Sequence, residues 1–230
     1  MVDVCVAWAG SGRKCRGGHF GRVGSLIIVG LYVFGGSAAL AKADPLARGR
    51  ELYVLCSSCH GERGQGDQRR GAPVIGGMPE WYVAAQLRKF LAGERGYHPD
   101  DTTGLQMRPM AQAVYRDGDL QAVAAYVASL HPPTPARSHD AGDPARGQTL
   151  YATCAACHGV DGKGNEALKA PRLAGQAGWY LAEQLKKFRS GQRGAAAGDA
   201  TGAQMRAMVN VLPDDQAIAD VVAYISTLKP

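Results

Sequence analysis

Leu120, Val123, Val127 and Leu130 recur at helical spacing, and Ile218, Val221, Ile225 and Leu228 draw the same stripe again near the end of the chain. Apolar residues three and four apart fall on one face of an α-helix, so each set predicts a helix with one buried side. Asp117 or Asp119 stands where a cap for the first would stand, and Asp214 or Asp215 where a cap for the second would. Trp81 to Leu91 and Trp179 to Phe188 also read as helices, and shorter ones are predicted ahead of Cys56 and Cys154. The stretches between are rich in glycine, and nowhere does the strict alternation of a strand persist. The pattern is that of an all-α protein.

The two stripes belong to a longer repeat. Residues 48–130 align with 146–228 at a constant offset of 98 without a gap, and 35 of the 83 aligned positions are identical. Two copies of one plan imply two similar domains, and the period is too long for a solenoid unit. Between them runs His131-Pro132-Pro133-Thr134-Pro135 and a polar continuation through His139. Prolines cannot continue a helix and the polar residues need no core, so 132–142 reads as a linker. The predicted domains are 44–131 and 143–230.

Ahead of the repeat, Arg13, Lys14, Arg16 and Arg22 precede an apolar run from Ser25 to Leu40, then Ala41-Lys42-Ala43. Basic, apolar and small residues in that order make a secretory signal peptide over 1–43, with cleavage after Ala43. The run is short and broken by glycine beside the roughly 20 residues of a membrane span. Export to the periplasm is the expectation. An uncleaved leader would instead tether the protein to the membrane.

The chain of 230 residues is 46% hydrophobic and 20% charged, with a formal net charge of +6. The leader holds five of the basic residues and one acid, so without it 21 basic face 19 acidic residues. No basic stripe remains of the kind that binds nucleic acid. Of six cysteines, Cys5 and Cys15 lie in the leader and the other four stand in Cys56-Ser57-Ser58-Cys59-His60 and Cys154-Ala155-Ala156-Cys157-His158.

C-x-x-C-H is the attachment signature of c-type haem. Two thiols add across the two porphyrin vinyl groups, and the adjacent histidine reaches the iron from the same side as its proximal ligand. A zinc ribbon would set its cysteine pairs about 15–20 residues apart; here they are 98 apart. A redox dithiol leaves both histidines unexplained. Two covalent haems are therefore expected, on Cys56, Cys59 and His60 and on Cys154, Cys157 and His158.

The sixth ligand decides between electron transfer and chemistry at the iron. Met78 aligns with Gln176 and cannot serve a shared plan, whereas Met107 pairs with Met205 and Met110 with Met208. Within each copy one methionine is expected to bind iron and the other to pack; the repeat alone does not say which. His98 aligns with Ala196 and reads as a loop histidine.

The chain from about Asp44 onward resembles the cytochrome c4 family, two-domain dihaem carriers. The resemblance rests on both C-x-x-C-H-G motifs, Ala170-Pro171-Arg172-Leu173-Ala174-Gly175-Gln176, the Tyr-x-x-x-Gln-Leu helices and both Met-x-x-Met segments. It implies that Met107 and Met205 are the ligands, that the carbonyls of Pro73 and Pro171 receive the ligand histidines' hydrogen bonds, and that the two domains pack face to face. Domain one departs from the pattern with Pro73-Val74-Ile75-Gly76-Gly77-Met78 and with Arg69-Arg70. The expected function is single-electron transfer, with no bond-making chemistry, from a quinol-oxidising complex to a terminal oxidase. The alternative is a cytochrome subunit of a dehydrogenase, such as a flavocytochrome sulfide dehydrogenase. A two-haem peroxidase needs an iron that opens, and matched methionines in both copies argue against it.

Overall fold

The computed structural model describes residues 44–116, 118–135 and 142–230. The predicted leader, Asp117 and His139 lie outside them. Among the described residues all regular structure is helical, apart from two isolated antiparallel bridges, Asp67 with Ala72 and Asn165 with Ala170. Domain one holds α1 (Ala47–His60), a 3-10 turn (Gln68–Arg70), α2 (Glu80–Ala92), α3 (Thr102–Gln112) and α4 (Asp119–Ser129). Domain two repeats the order with α5 (Pro144–His158), α6 (Gly178–Ser190), α7 (Ala200–Val209) and α8 (Asp215–Ile225). No described helix is long and apolar enough to cross a membrane.

In each domain the first helix crosses the last, and the third side of the core is α2 or α6. The crossings are close because both first helices carry a glycine at the contact. A Cβ on Gly49 would lie 2.1 Å from the Ala122 carbonyl oxygen, and one on Gly147 1.9 Å from that of Asp220. Tyr53 stacks obliquely on Tyr126 at 5.4 Å between ring centres, and Tyr151 on Tyr224 at 5.2 Å. Each of these first-helix tyrosines also donates its hydroxyl to the carbonyl of the glycine after the haem-motif histidine, Gly61 at 2.7 Å and Gly159 at 2.8 Å. Both bonds fix the C-terminal turn on which the motif sits. The apolar stripes of α4 and α8 line the cores, with Val123 and Val127 buried in one and Ile218, Val221 and Ile225 in the other. Leu130 and Leu228 pack just past the helix ends.

Asp214 caps α8 as the sequence pattern allows, accepting the Ala217 N–H at 2.8 Å. Asp119 does not cap α4. It lies in the first turn after Gly118, and its carboxylate grips the Arg48 guanidinium through two bonds of 2.8 Å, which hold its pKa below the usual carboxylate range. In domain two the equivalent arginine, Arg146, pairs with Asp220, one turn further along the last helix. Burial would raise the Asp220 pKa; bonds from the Asp143 N–H, Gln216 and Arg146 outweigh it and lower the value.

Candidate haem sites

α1 and α5 end on the haem motifs, so each pair of cysteines spans one helical turn and the histidine closes the helix. None of Cys56, Cys59, Cys154 and Cys157 is in a disulfide. Burial pushes Cys56 up to about 11, with the charge of Cys59 adding to it, and burial also raises Cys154.

After each motif the chain doubles back. The Gly66 N–H donates to the His60 carbonyl at 2.8 Å, and Asp67 and Ala72 exchange backbone bonds of 2.8 and 3.0 Å. Gly164 with His158, and Asn165 with Ala170, repeat this turn. Gly66 and Gly164 take φ values of +77° and +85°, open to glycine at little cost. A Cβ on either would strike the returning strand of backbone, 2.6 Å from the Ala72 carbonyl oxygen or the Arg172 nitrogen. The turn sets the Pro73 carbonyl oxygen 2.9 Å from His60 Nδ1 and that of Pro171 2.8 Å from His158 Nδ1. A carbonyl only accepts, so Nδ1 carries the proton and Nε2 offers its lone pair. Burial lowers both histidine pKa values, which keeps the rings neutral and fit to bind a metal.

Met107 lies on α3 and Met205 on α7, both half-buried, and Met205 packs against the core of domain two. Their partners Met110 and Met208 are more open, at 42% and 37% exposure. Met78 is buried where the domains meet, its sulfur 4.0 Å from Arg172 Nη2. His98 sits on a surface loop, its Nδ1 accepting from the Asp100 N–H at 3.2 Å. His131 is exposed.

The seam between the domains carries residues that periodicity did not single out. Arg95 donates to Gln86 at 2.9 Å and across the seam to Tyr180 at 2.8 Å and Gln184 at 3.3 Å. Arg193 donates to Gln184 at 2.8 Å and across to Gln86 at 3.0 Å. The offset of 98 turns one set into the other, so the seam has a local pseudo-two-fold axis. Both guanidiniums are held by amide and phenol oxygens, with no carboxylate within ion-pair distance among the described residues. Buried cations of this kind fit an anionic group such as a haem propionate, because burying a charge without a counter-charge is costly. The symmetry fails where the two copies differ in sequence: the Tyr97 hydroxyl bonds the Gly191 carbonyl across the seam, but Ala195 stands at the position matching Tyr97. The Gln176 side chain bonds both the N–H and the carbonyl of Val74, at 3.2 and 2.8 Å, while its counterpart Met78 offers only a thioether to Arg172.

Tandem helical domains, each ending its first helix on a haem motif with a neutral histidine beside it, define a dihaem c-type cytochrome carrying two covalent haems. Residues 46–131 and 144–229 match the Cytochrome c family model. The chain belongs to this family and, within it, to the cytochromes c4. It is 31% identical over 200 residues to cytochrome c4 of Azotobacter vinelandii, covering 81% of this chain and 90% of that one. The solved structure of reduced recombinant cytochrome c4 from Pseudomonas stutzeri superposes with a TM-score of 0.64 at 28% identity, covering 78% of this chain and 96% of the other. A protein named thiosulfate dehydrogenase electron acceptor, from Thiomonas intermedia (strain K12), is 29% identical over 182 residues, 75% of this chain and 77% of that one. The chain is thus an electron-transfer protein of the c4 type.

Proposed function

We propose that Cys56 and Cys59 hold one haem and Cys154 and Cys157 the other, with His60 and Met107 as axial ligands in domain one and His158 and Met205 in domain two. A haem bound in this way supplies a one-electron couple whose potential is raised by methionine. The chain's own residues do the rest. The Pro73 and Pro171 carbonyls hold the imidazole Nδ1–H, fix each ring's orientation and strengthen Nε2 as a donor. Arg95 and Arg193 sit ready for propionate charge at the seam.

The protein works in the periplasm, after removal of residues 1–43, and carries single electrons from a quinol-oxidising complex to a terminal oxidase. The observation that carries this reading is the repetition of the whole site: a histidine on a proline carbonyl and a half-buried methionine, in both domains. Two closed irons pass electrons without opening to substrate. A second reading, acceptor for a sulfur-compound dehydrogenase, draws support from the similarity to the Thiomonas protein, while the flavocytochrome sulfide dehydrogenase subunit remains the variant with a flavin partner. The test is stopped-flow reduction of the ferric protein by quinol with membranes that hold a quinol-oxidising complex, then reoxidation by oxidase-bearing membranes. Uptake of two electrons per chain and rapid reoxidation are expected. Inert behaviour there, with fast reduction by thiosulfate and its dehydrogenase, would replace the first reading with the second.

A further inference from the structure

Each methionine-bearing helix is tied at its N-terminus to the opposite domain. Asp101 opens α3 by accepting the Gly104 N–H at 3.0 Å, and the same oxygen takes Lys187 Nζ from α6 at 2.6 Å. Thr103 Oγ1 lies 2.7 Å from that ammonium. Asp199 opens α7 by accepting the Gly202 N–H at 2.8 Å and contacts Lys89 Nζ from α2, with Thr201 Oγ1 2.5 Å away. The offset of 98 maps each cluster onto the other. The aspartates are almost fully enclosed, at 2% and 3% exposure.

We propose that Lys187 positions Met107, and Lys89 positions Met205, each acting across the seam through the carboxylate that caps the other domain's ligand helix. The inference rests on the reading that Met107 and Met205 bind iron. Met107 and Met205 each stand six residues past the capping aspartate, within the first two turns of the helix. The first turn of a helix has no internal partners for its N–H groups and depends on its cap. Without the lysine the buried capping carboxylate loses the one cation paired directly to it among the described residues, so it takes up a proton or turns out toward water, and the cap loosens. Lys187 also touches Glu183 on its own helix, but Glu183 is part-exposed and reaches Thr103 only at 3.4 Å. Loss of one lysine leaves the seam closed, because Arg95, Arg193, Gln176 and the Tyr97 hydroxyl on the Gly191 carbonyl still bridge it.

The test is proton NMR of the reduced holoprotein, where a methionine methyl bound to haem iron is shifted far upfield by the porphyrin ring current. Met107→Ala and Met205→Ala assign the two signals. Lys187→Met is expected to shift or abolish the Met107 signal and leave the Met205 signal in place; Lys89→Met is expected to do the reverse. If one lysine variant does not fold, the other decides alone. A lysine variant that disturbs both signals equally, its own domain's signal, or neither overturns the proposal, since simple loosening of the seam has no reason to select the distant methionine. A wild-type protein lacking the upfield signals overturns the ligand reading itself, and the positioning role with it.

Discussion

Replacing Gly147 with alanine is expected to lower the melting temperature of domain two by about 10 °C, even though alanine is the better helix former. Alanine gains about 1 kcal/mol over glycine inside a helix. The added Cβ, however, would lie 1.9 Å from the Asp220 carbonyl oxygen and 2.6 Å from its carbonyl carbon. Neither atom can move without parting α5 from α8, the pair that closes the domain. Overpacking that forces backbone apart costs about 3 kcal/mol or somewhat more. The net loss of about 2 kcal/mol corresponds to about 10 °C in a domain of this size. Gly49→Ala is expected to do the same to domain one, where Ala122 takes the place of Asp220. Circular dichroism melting of the holoprotein checks both, and an unchanged melting temperature would mean that the crossing has room that the geometry denies.

The second large effect is on cofactor content. Cys154→Ala combined with Cys157→Ala removes both attachment sulfurs of domain two and is expected to cut covalent haem from two per chain to one, read by pyridine haemochrome against protein concentration. Domain one keeps Cys56, Cys59 and His60 on its own helix, so its haem is expected to stay. Domain two is expected to lose its ordered tertiary structure, because small domains bury too little surface to stand without added cross-links or cofactors. Cys154, Leu173 and Met205 pack against its core. Retention of both haems, or loss of both, would contradict independent attachment.

Much of this was legible because the same sequence occurs twice. The stripes on α4 and α8 and the tryptophan-led helices read directly and lie close to the expected bounds, whereas the helices expected to be short and to stop ahead of Cys56 and Cys154 are the longest described, 14 and 15 residues, and run through each haem motif to its histidine. α3 and α7 were harder. Thr102-Thr103-Gly104 opens one with poor helix formers and Pro109 interrupts it, while Leu105 and Met110 stay exposed, so no apolar stripe marks the helix. Their caps, Asp101 and Asp199, are met by lysines more than 80 residues away, a contact that no local pattern encodes. The repeat did hold a clue. Lys89 and Lys187, Arg95 and Arg193, Asp101 and Asp199, and Thr103 and Thr201 are identical charged or polar pairs in the two copies. Charge kept twice at matching positions is unexpected of a merely solvated face. Asp119 shows the converse limit. An acid in a first turn can cap or can reach outward, and the choice depended on Arg48 arriving from another helix.

The central claim is that both irons are closed by methionine, and the far-red spectrum of the ferric protein tests it most directly, because sulfur bonded to ferric haem gives a weak charge-transfer band there. The account expects a band of two-haem strength that falls to half in Met107→Ala or Met205→Ala alone and vanishes in the double variant, while Met110→Ala and Met208→Ala leave it intact. A wild-type band of half strength or none, or one that follows Met110 or Met208 instead, would contradict it.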